Sequence, residues 1–295
     1  MRHFLKTGSM IAAAAFAALA VTAPGADAQS AAAGADGVAR SVNRSSLTAE
    51  EQRVLIGQAG AARQAGVPAE DVEIIVARGL ERGVGAAMLG SFLETTAHVA
   101  RQGLPARPVL DRIEQGLSKG VPPERIDGAG KRLADGLAKA KPLVDGLLQN
   151  GLPPGNGGAK DAALESVARA GEQSLSAGTM QALGEKVRAR GQSLDQFERA
   201  VRALSFLAGN GMPPDAAERV VHAGIERGLT ERDFARIERT VGDMVRQGRS
   251  MDEIIRAADR QVRDGRIPGE IRGTGRQERT PGGGRDAGGR GGRGR

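Results

Sequence analysis

Short segments that combine the end of one helix with the start of the next recur along this chain. In "RGLTERDF", Gly228 fits the left-handed position just after a helix, and Leu229 is the apolar residue that follows it. Thr230 then fits the N-cap of the next helix, with Asp233 three residues later as an approximate capping box. Related segments are "QAGVPAED" at 64–71, "RQGLPARP" at 101–108, "SKGVPPER" at 118–125 and "RQGRSMDE" at 246–253. Repeated stops and starts of this kind predict an array of short helices.

The other predicted helix starts follow two patterns. Capping boxes are predicted at Thr48…Glu51, Ser193…Gln196 and Ser250…Glu253, and proline replaces the cap at Pro68, Pro105, Pro122 and Pro213. Apolar residues between these starts recur at spacings of three and four, and no segment alternates with period two. The sequence therefore predicts an all-α fold of about 10–11 short antiparallel helices arranged as hairpin repeats, without strands.

The helix-ending glycines also suggest an internal duplication. They fall at 66, 83, 103 and 120, and again at 211, 228, 248 and 265, an offset of 145 residues throughout. "GLERG" at 79–83 matches "GIERG" at 224–228 in the same register. We interpret this as two copies of a four-helix block, about 48–120 and 193–265.

These features divide the chain into six predicted segments. They are a signal peptide at 1–28, a flexible N-terminal linker at 29–46, helical block A at 47–122, central helices at 123–190, helical block B at 191–268 and a basic tail at 269–295. In the central region, residues 120–150 fit either one long helix bent at Pro142 or two helices meeting there. "GLPPGNGG" at 151–158 is predicted to be a loop and a hinge between the halves, followed by helices at about 159–170 and 177–190.

The composition restricts how the interior can be filled. The chain has no Cys, Trp or Tyr, so the core must consist of Leu, Ile, Val, Met, Ala and a few Phe side chains. Seven glycines are predicted inside helices, at 57, 60, 79, 90, 116, 136 and 146. Each costs up to about 1 kcal/mol relative to alanine in a helix interior. We favour close helix–helix approach over deliberate flexibility as their explanation.

The N-terminus has the pattern of a secretory signal peptide. A basic start precedes the apolar stretch "MIAAAAFAALAVTA", and Ala26 and Ala28 form a small-x-small cleavage site before Gln29. No cysteine follows the site, which excludes a lipoprotein anchor. The alternative, an uncleaved N-terminal anchor, is less favoured because the cleavage motif is clear, and the apolar stretch is also short for a membrane span. The chain is therefore predicted to be exported to the periplasm or secreted, with no transmembrane segment in its mature form.

The positive charge is concentrated at the C-terminus. The formal net charge of the whole chain is +7, and residues 266–295 carry eight arginines against three acidic residues, a net +5. Such Arg/Gly-rich sequence is predicted to be disordered and to attract polyanions. The predicted polyanion-binding residues are Arg272, Arg276, Arg279, Arg285, Arg290, Arg293 and Arg295. Export favours anionic lipid headgroups or acidic polysaccharide over nucleic acid as the ligand; a purely solubilising tail is the alternative.

No motif in the sequence indicates catalysis. His98 and His222 do not correspond across the 145-residue offset, so a metal site built into the repeat is not expected, and both are predicted to be surface or half-buried residues. The sequence contains no nucleophile elbow, and no Walker loop or dinucleotide-binding glycine motif follows a predicted strand. We therefore predict no catalytic, metal-binding or cofactor-binding residues. The alternative left open is a pair of catalytic carboxylates that come together only in the folded chain.

The stretch "RQGLPARPVLDRIEQGLSKGVPPERI" and the repeated "RGLERGV" resemble a set of uncharacterised exported bacterial helical-repeat proteins with G-[LV]-P-x-E hairpin motifs. The resemblance is best over about residues 64–150. It implies a helical fold and no assigned activity. The chain lacks the Trp/Tyr pattern of tetratricopeptide repeats and the T-P-L-H motif of ankyrin repeats, so the binding sites of those families cannot be transferred.

Together these features favour an exported, non-enzymatic interaction or scaffold protein with an unknown protein partner. The Arg-Gly tail would add attraction to anionic envelope components. The alternatives are a periplasmic holdase-like chaperone with an apolar groove and, less favoured, an enzyme of unknown type. A contiguous exposed apolar face would support the chaperone hypothesis.

Overall fold

The computed structural model describes residues 37–264, and these residues form helices and connecting turns without any strand. The all-α prediction is therefore confirmed. The twelve helices of this region are α1 (37–43), α2 (Ala49–Gln64), α3 (Ala69–Glu81), α4 (Ala86–Arg101), α5 (Arg107–Ser118), α6 (Pro123–Gln149), α7 (Ala159–Glu172), α8 (Ala177–Ala189), α9 (Leu194–Gly209), α10 (Pro214–Glu226), α11 (Glu231–Arg246) and α12 (Met251–Asp264).

The described residues belong to two compact units that divide at Pro142, inside α6. In the first unit, α2 packs against α4 and α3 packs against α5, so the helices form two layers. In the second unit, α7, α9 and α11 form one layer, and α8, α10 and α12 form the other. Each unit is thus built from helical hairpins whose corresponding helices stack in the same layer, as in helical-repeat proteins.

The helix boundaries reveal a repeat that is shorter than the predicted block. Helices α2, α4 and α6 begin at residues 49, 86 and 123, 37 residues apart, and α9 and α11 begin at 194 and 231, with the same spacing. The bounds of α2, α3 and α4 recur in α9, α10 and α11 at an offset of 145 residues, which agrees with the predicted duplication. That duplication stays a prediction, and the offset of 145 residues spans three hairpins and the long helix α6.

The predicted helix ends are confirmed by the backbone conformation. The φ angle is positive at Gly66, Gly83, Gly103, Gly120, Gly211, Gly228 and Gly248. At Gly228, the amide of the next residue, Leu229, donates to the carbonyl oxygen of Gly224 at 2.9 Å, and the Gly228 amide donates to Ile225 at 3.0 Å. This is the Schellman arrangement, in which two otherwise unpaired carbonyl groups at the helix end are satisfied. Gly265 lies outside the described residues.

The series of helix-ending glycines at 37-residue spacing lacks one member, and this explains the length of α6. A helix-ending glycine at the 37-residue spacing would follow Gly66 and Gly103 at position 140, which is occupied by Ala140. An alanine disfavours the left-handed conformation. The helix continues through Pro142 to Gln149, so residues 123–149 form one long helix rather than two.

The predicted helix caps are confirmed in part. The capping boxes at Thr48 and Thr230 form, and the Ser250 hydroxyl accepts from the Glu253 amide at 3.4 Å. The box predicted at Ser193 is wrong, because its hydroxyl donates to Asp195 at 3.1 Å and caps no amide. Pro105 also lies one residue too early for a cap, since α5 begins at Arg107 and has Ala106 as its N-cap. In the first case the Ser193 hydroxyl is engaged by Asp195, and in the second the helix begins one residue later than predicted.

Several in-helix glycines lie where helices approach closely. A Cβ atom added to Gly116 would lie 2.6 Å from Ile126 Cγ1, and one added to Gly224 would lie 2.9 Å from Phe234 Cζ. In both cases the contacting residue is the fourth residue of the following helix. Close approach is therefore confirmed at these positions, whereas Gly57 and Gly146 have open space around the Cβ position.

The N-terminal boundary of the folded region lies earlier than predicted. Residues 37–43 form α1, and its Val38 and Val42 are fully buried or nearly so. These residues fall within the predicted flexible linker at 29–46, and that prediction is wrong for the helical part. The spacing of four places both valines on one helix face, which can then pack against the first unit.

Candidate interaction surfaces

The functional residues predicted from sequence lie outside the described part of the chain. This holds for the cleavage-site residues Ala26, Ala28 and Gln29 and for the tail arginines Arg272, Arg276, Arg279, Arg285, Arg290, Arg293 and Arg295. The described candidate surfaces are those of the two helical units.

A polar groove lies between α4 and the first half of α6 in the first unit. Its volume is about 350 Å³, and its lining residues are Ser91, Glu94, Thr95, His98, Lys131, Ala134 and Asp135. The four α4 residues are spaced at three and four, so they form one exposed helix face opposite the buried face that contains Phe92. The hairpin stacking of α4 on α6 thus creates the groove.

Asp127 joins the two walls of the groove. The Ser91 hydroxyl donates to Asp127 Oδ1 at 2.7 Å, and Lys131 Nζ lies 2.8 Å from Asp127 Oδ2. Because Asp127 already binds both groups, the serine and the lysine are committed to contacts within the fold. Glu94 and Asp135 form no ion pair within residues 37–264. The groove therefore presents two uncommitted carboxylates to a ligand.

The groove does not contain an activated nucleophile. A catalytic serine needs a base within hydrogen-bonding distance of its oxygen. The Ser91 hydroxyl instead contacts Asp127, and His98 Nε2 lies 2.7 Å from Gln102 Nε2 on the same helix. No group of three or more His, Asp or Glu side chains in residues 37–264 is arranged to hold a metal ion.

The solvent exposure of His98 and His222 agrees with the prediction from sequence. His98 is exposed and His222 is half-buried. In the second unit, Lys186 Nζ lies 3.2 Å from His222 Nδ1 and 2.5 Å from a Glu226 carboxylate oxygen. Burial lowers the pKa of His222, as does the Lys186 charge, while Glu218 and Glu226 act in the opposite direction. The neutral imidazole is therefore the form that the fold favours.

This arrangement predicts a pH dependence of stability. Because the pKa of His222 is lower in the folded chain than in the unfolded chain, the unfolded state binds more protons as the pH falls through the ordinary histidine range. The free energy of unfolding should therefore decrease as the pH falls through the unfolded pKa of about 6.5. We expect the His222→Gln variant to show a smaller decrease over this range in urea unfolding. His98→Gln serves as the control, and an unchanged slope in His222→Gln would contradict the assignment.

A second half-buried ionisable group lies on α11. Burial raises the pKa of Glu238, and it does so against the opposing charge of Arg202 and with the added repulsion of Glu198. Glu198 itself accepts a hydrogen bond from the Ser166 hydroxyl at 3.0 Å. The two carboxylates lie on adjacent helices of one layer, and Glu198 is tied to Ser166. The raised pKa of Glu238 therefore reflects partial burial between packed helices.

Exposed apolar surface is scarce on the described part of the chain. Of the large apolar side chains in residues 37–264, Val54 is the one that is substantially exposed, at 48%. A holdase-like chaperone needs a contiguous apolar face. This observation counts against the chaperone hypothesis. In addition, no helix within residues 37–264 is both long and apolar enough to cross a membrane.

Comparisons with known proteins add no family to this description. No family model, no curated protein and no solved structure matches the chain. The described residues are thus characterised by their fold and surfaces: an all-α helical-hairpin protein with a shallow polar groove.

Proposed function

We propose that this chain is an exported, non-enzymatic helical-repeat protein that acts as an interaction or scaffold module. Its stacked hairpins provide the binding surface, and its Arg-Gly tail associates with anionic components of the cell envelope. The observation that carries the proposal is the groove between α4 and α6, where Glu94 and Asp135 lack ion-pair partners among residues 37–264. Repeat arrays commonly bind partners over surfaces of this kind.

The chemistry of the groove suggests the kind of protein partner. Two uncommitted carboxylates and the Thr95 hydroxyl accept hydrogen bonds, so a segment carrying lysine or arginine side chains fits best. Charge-assisted hydrogen bonds of this type are stronger than those between neutral groups. The holdase-like chaperone has no comparable support, since the described surface is mostly polar. An enzyme of unknown type has the least support of the three.

The contribution of the tail is tested by binding to isolated cell envelopes. We would compare the mature chain, residues 29–295, with the same chain lacking residues 266–295 across a salt series. Removing a net charge of +5 is expected to weaken binding at low salt by about tenfold or more, with the difference shrinking as salt screens the charges. Binding that is unchanged by both salt and truncation would contradict tail-mediated association.

The contribution of the groove is tested in the chain that lacks residues 266–295, by measuring the envelope binding that this chain retains. The double variant Glu94→Gln and Asp135→Asn keeps the shape of both side chains and removes their charges. We expect it to lose most of the remaining envelope binding. Glu70→Gln with Asp161→Asn makes the same chemical change at exposed positions outside the groove and should have little effect. Equal losses in the two double variants would argue against recognition in the groove.

A further inference from the structure

A cationic depression lies where α5 turns into α6 in the first unit. It has a volume of about 740 Å³, and its lining includes Lys119, Arg125 and Arg132. All three side chains are exposed, and none forms an ion pair within residues 37–264. The acidic residue in the lining is Glu124. The depression therefore has an excess of positive charge that the fold leaves uncompensated.

The positive charge continues beyond the depression along one face of α6. Arg125, Arg132 and Lys139 are spaced seven residues apart, which places them in line on the helix surface. At a rise of 1.5 Å per residue, the stripe extends over about 21 Å, with about 10 Å between neighbouring cations. Lys139 is also exposed and without an ion pair in the described part of the chain. We call these three residues the α6 basic stripe.

In contrast to the stripe cations, the neighbouring lysine on the same helix has an acidic partner. Lys131 is held by Asp127 one helical turn away, at 2.8 Å, so its charge is compensated. Between the stripe cations, Gly128, Ala129 and Gly136 carry no charge, and Asp135 lies three residues after Arg132 and four before Lys139 without an ion pair in residues 37–264. The stripe is thus a row of cations with mostly small residues between them. A ligand can reach these cations without displacing an ion pair within the described residues.

The shape and surroundings of the stripe favour a linear polymer over a membrane surface. Two exposed carboxylates, Glu124 and Asp135, lie beside the stripe and would oppose a broad anionic plane. Large apolar side chains that could insert into a bilayer are not exposed here, since Val54 on α2 is the one substantially exposed in residues 37–264. A narrow chain can follow the stripe and enter the concave depression while meeting fewer carboxylates than a broad anionic plane would.

We infer that the α6 basic stripe, together with the depression at Lys119, binds a linear anionic polysaccharide. This inference rests on the proposed function, in which the protein meets anionic polymers of the envelope, and it adds a binding site on the folded part of the chain. The tail would attract the polymer from a distance, and the stripe would hold it in one direction along α6. Contacts between cations and anionic groups make the affinity fall with increasing salt.

The test uses the full mature chain and polygalacturonate as a probe, with binding measured by calorimetry across a salt series. The stripe variant carries Arg125→Gln, Arg132→Gln and Lys139→Gln. The control variant carries Arg219→Gln, Arg232→Gln and Arg260→Gln, which removes the same charge from exposed positions of the second unit without ion pairs in residues 37–264. Glutamine is a good helix former, so both variants should fold.

We expect the stripe variant to bind about tenfold or more weakly at low salt and to show a reduced salt dependence, while the control changes binding by about twofold. Equal weakening in both variants would contradict the assignment of the stripe as the binding site, since net charge alone would then explain binding. Undiminished binding by the stripe variant would also overturn it. Removing residues 266–295 tests the proposed tail association separately, because the stripe variant retains the tail.

Vesicles of phosphatidylglycerol and phosphatidylcholine provide the competing ligand. The inference predicts that the stripe variant and the control variant bind these vesicles equally. A loss of vesicle binding confined to the stripe variant, with polygalacturonate binding unchanged, would make the stripe a membrane contact and contradict the polysaccharide assignment.

Discussion

Phe197→Ala is expected to lower the free energy of unfolding by about 3–5 kcal/mol, the range for removal of a large buried aromatic side chain. Phe197 lies on α9 and is fully buried, and α9 packs against α7, α8, α10 and α11 in the second unit. In a core without Trp or Tyr, few other side chains are large enough to fill the cavity. Urea unfolding followed by circular dichroism measures the change.

The control for this prediction lies on the same helix. Phe206 is half-buried, and Phe206→Ala should cost clearly less because less apolar surface and packing are lost. Hydrogen exchange should show the loss of protection from Phe197→Ala first in α9 and in the helices packed on it. A similar loss of stability from the two substitutions would contradict the assignment of Phe197 to the core.

Gly116→Ala and Gly57→Ala are expected to change stability in opposite directions. An alanine Cβ at Gly116 would lie within 3.2 Å of three side-chain atoms of the buried Ile126, so either this side chain or the crossing of α5 and α6 must shift. We expect a loss of about 1–3 kcal/mol from overpacking, reduced by the gain in helix propensity. Gly57 is exposed and has no atom within 4 Å of the Cβ position, so its replacement should gain about 0.5–1 kcal/mol.

Thermal and urea unfolding of the two glycine variants, both in the first unit, provides the comparison. If Gly116→Ala were also stabilising, the close helix crossing would not be the reason for glycine at that position. In that case the flexibility explanation for the in-helix glycines would regain support.

The fold was predictable because its signals are local. A glycine with positive φ and an N-cap with its capping box each act within a few residues, so the ends at Gly228 and Thr230 could be read directly from the sequence. The 37-residue repeat was harder to detect. Two of its helix-ending glycines are replaced, by Ala140 within α6 and by Ser174, which itself adopts a positive φ of 65° after α7. The 145-residue offset was therefore the clearer signal.

The groove could not be predicted in the same way, because it is formed by residues far apart in sequence. Ser91 and Asp127 are separated by 36 residues, about one hairpin repeat, and their contact depends on how α4 stacks on α6. If the 37-residue period had been recognised in the sequence, the exposed residues of α4 and α6 that face each other could have been paired. The α6 basic stripe, by contrast, had a local signal: three cations at seven-residue spacing on one helix.

Hydrogen exchange of the full mature chain, with and without isolated cell envelopes, tests most directly whether the folded hairpins bind the partner. We expect slower amide exchange in α4 and in the first half of α6, which carry the groove and the basic stripe, with little change in α8 and α10. Unchanged exchange throughout residues 37–264 at saturating envelope concentration would contradict binding by the folded hairpins and leave the tail as the binding element.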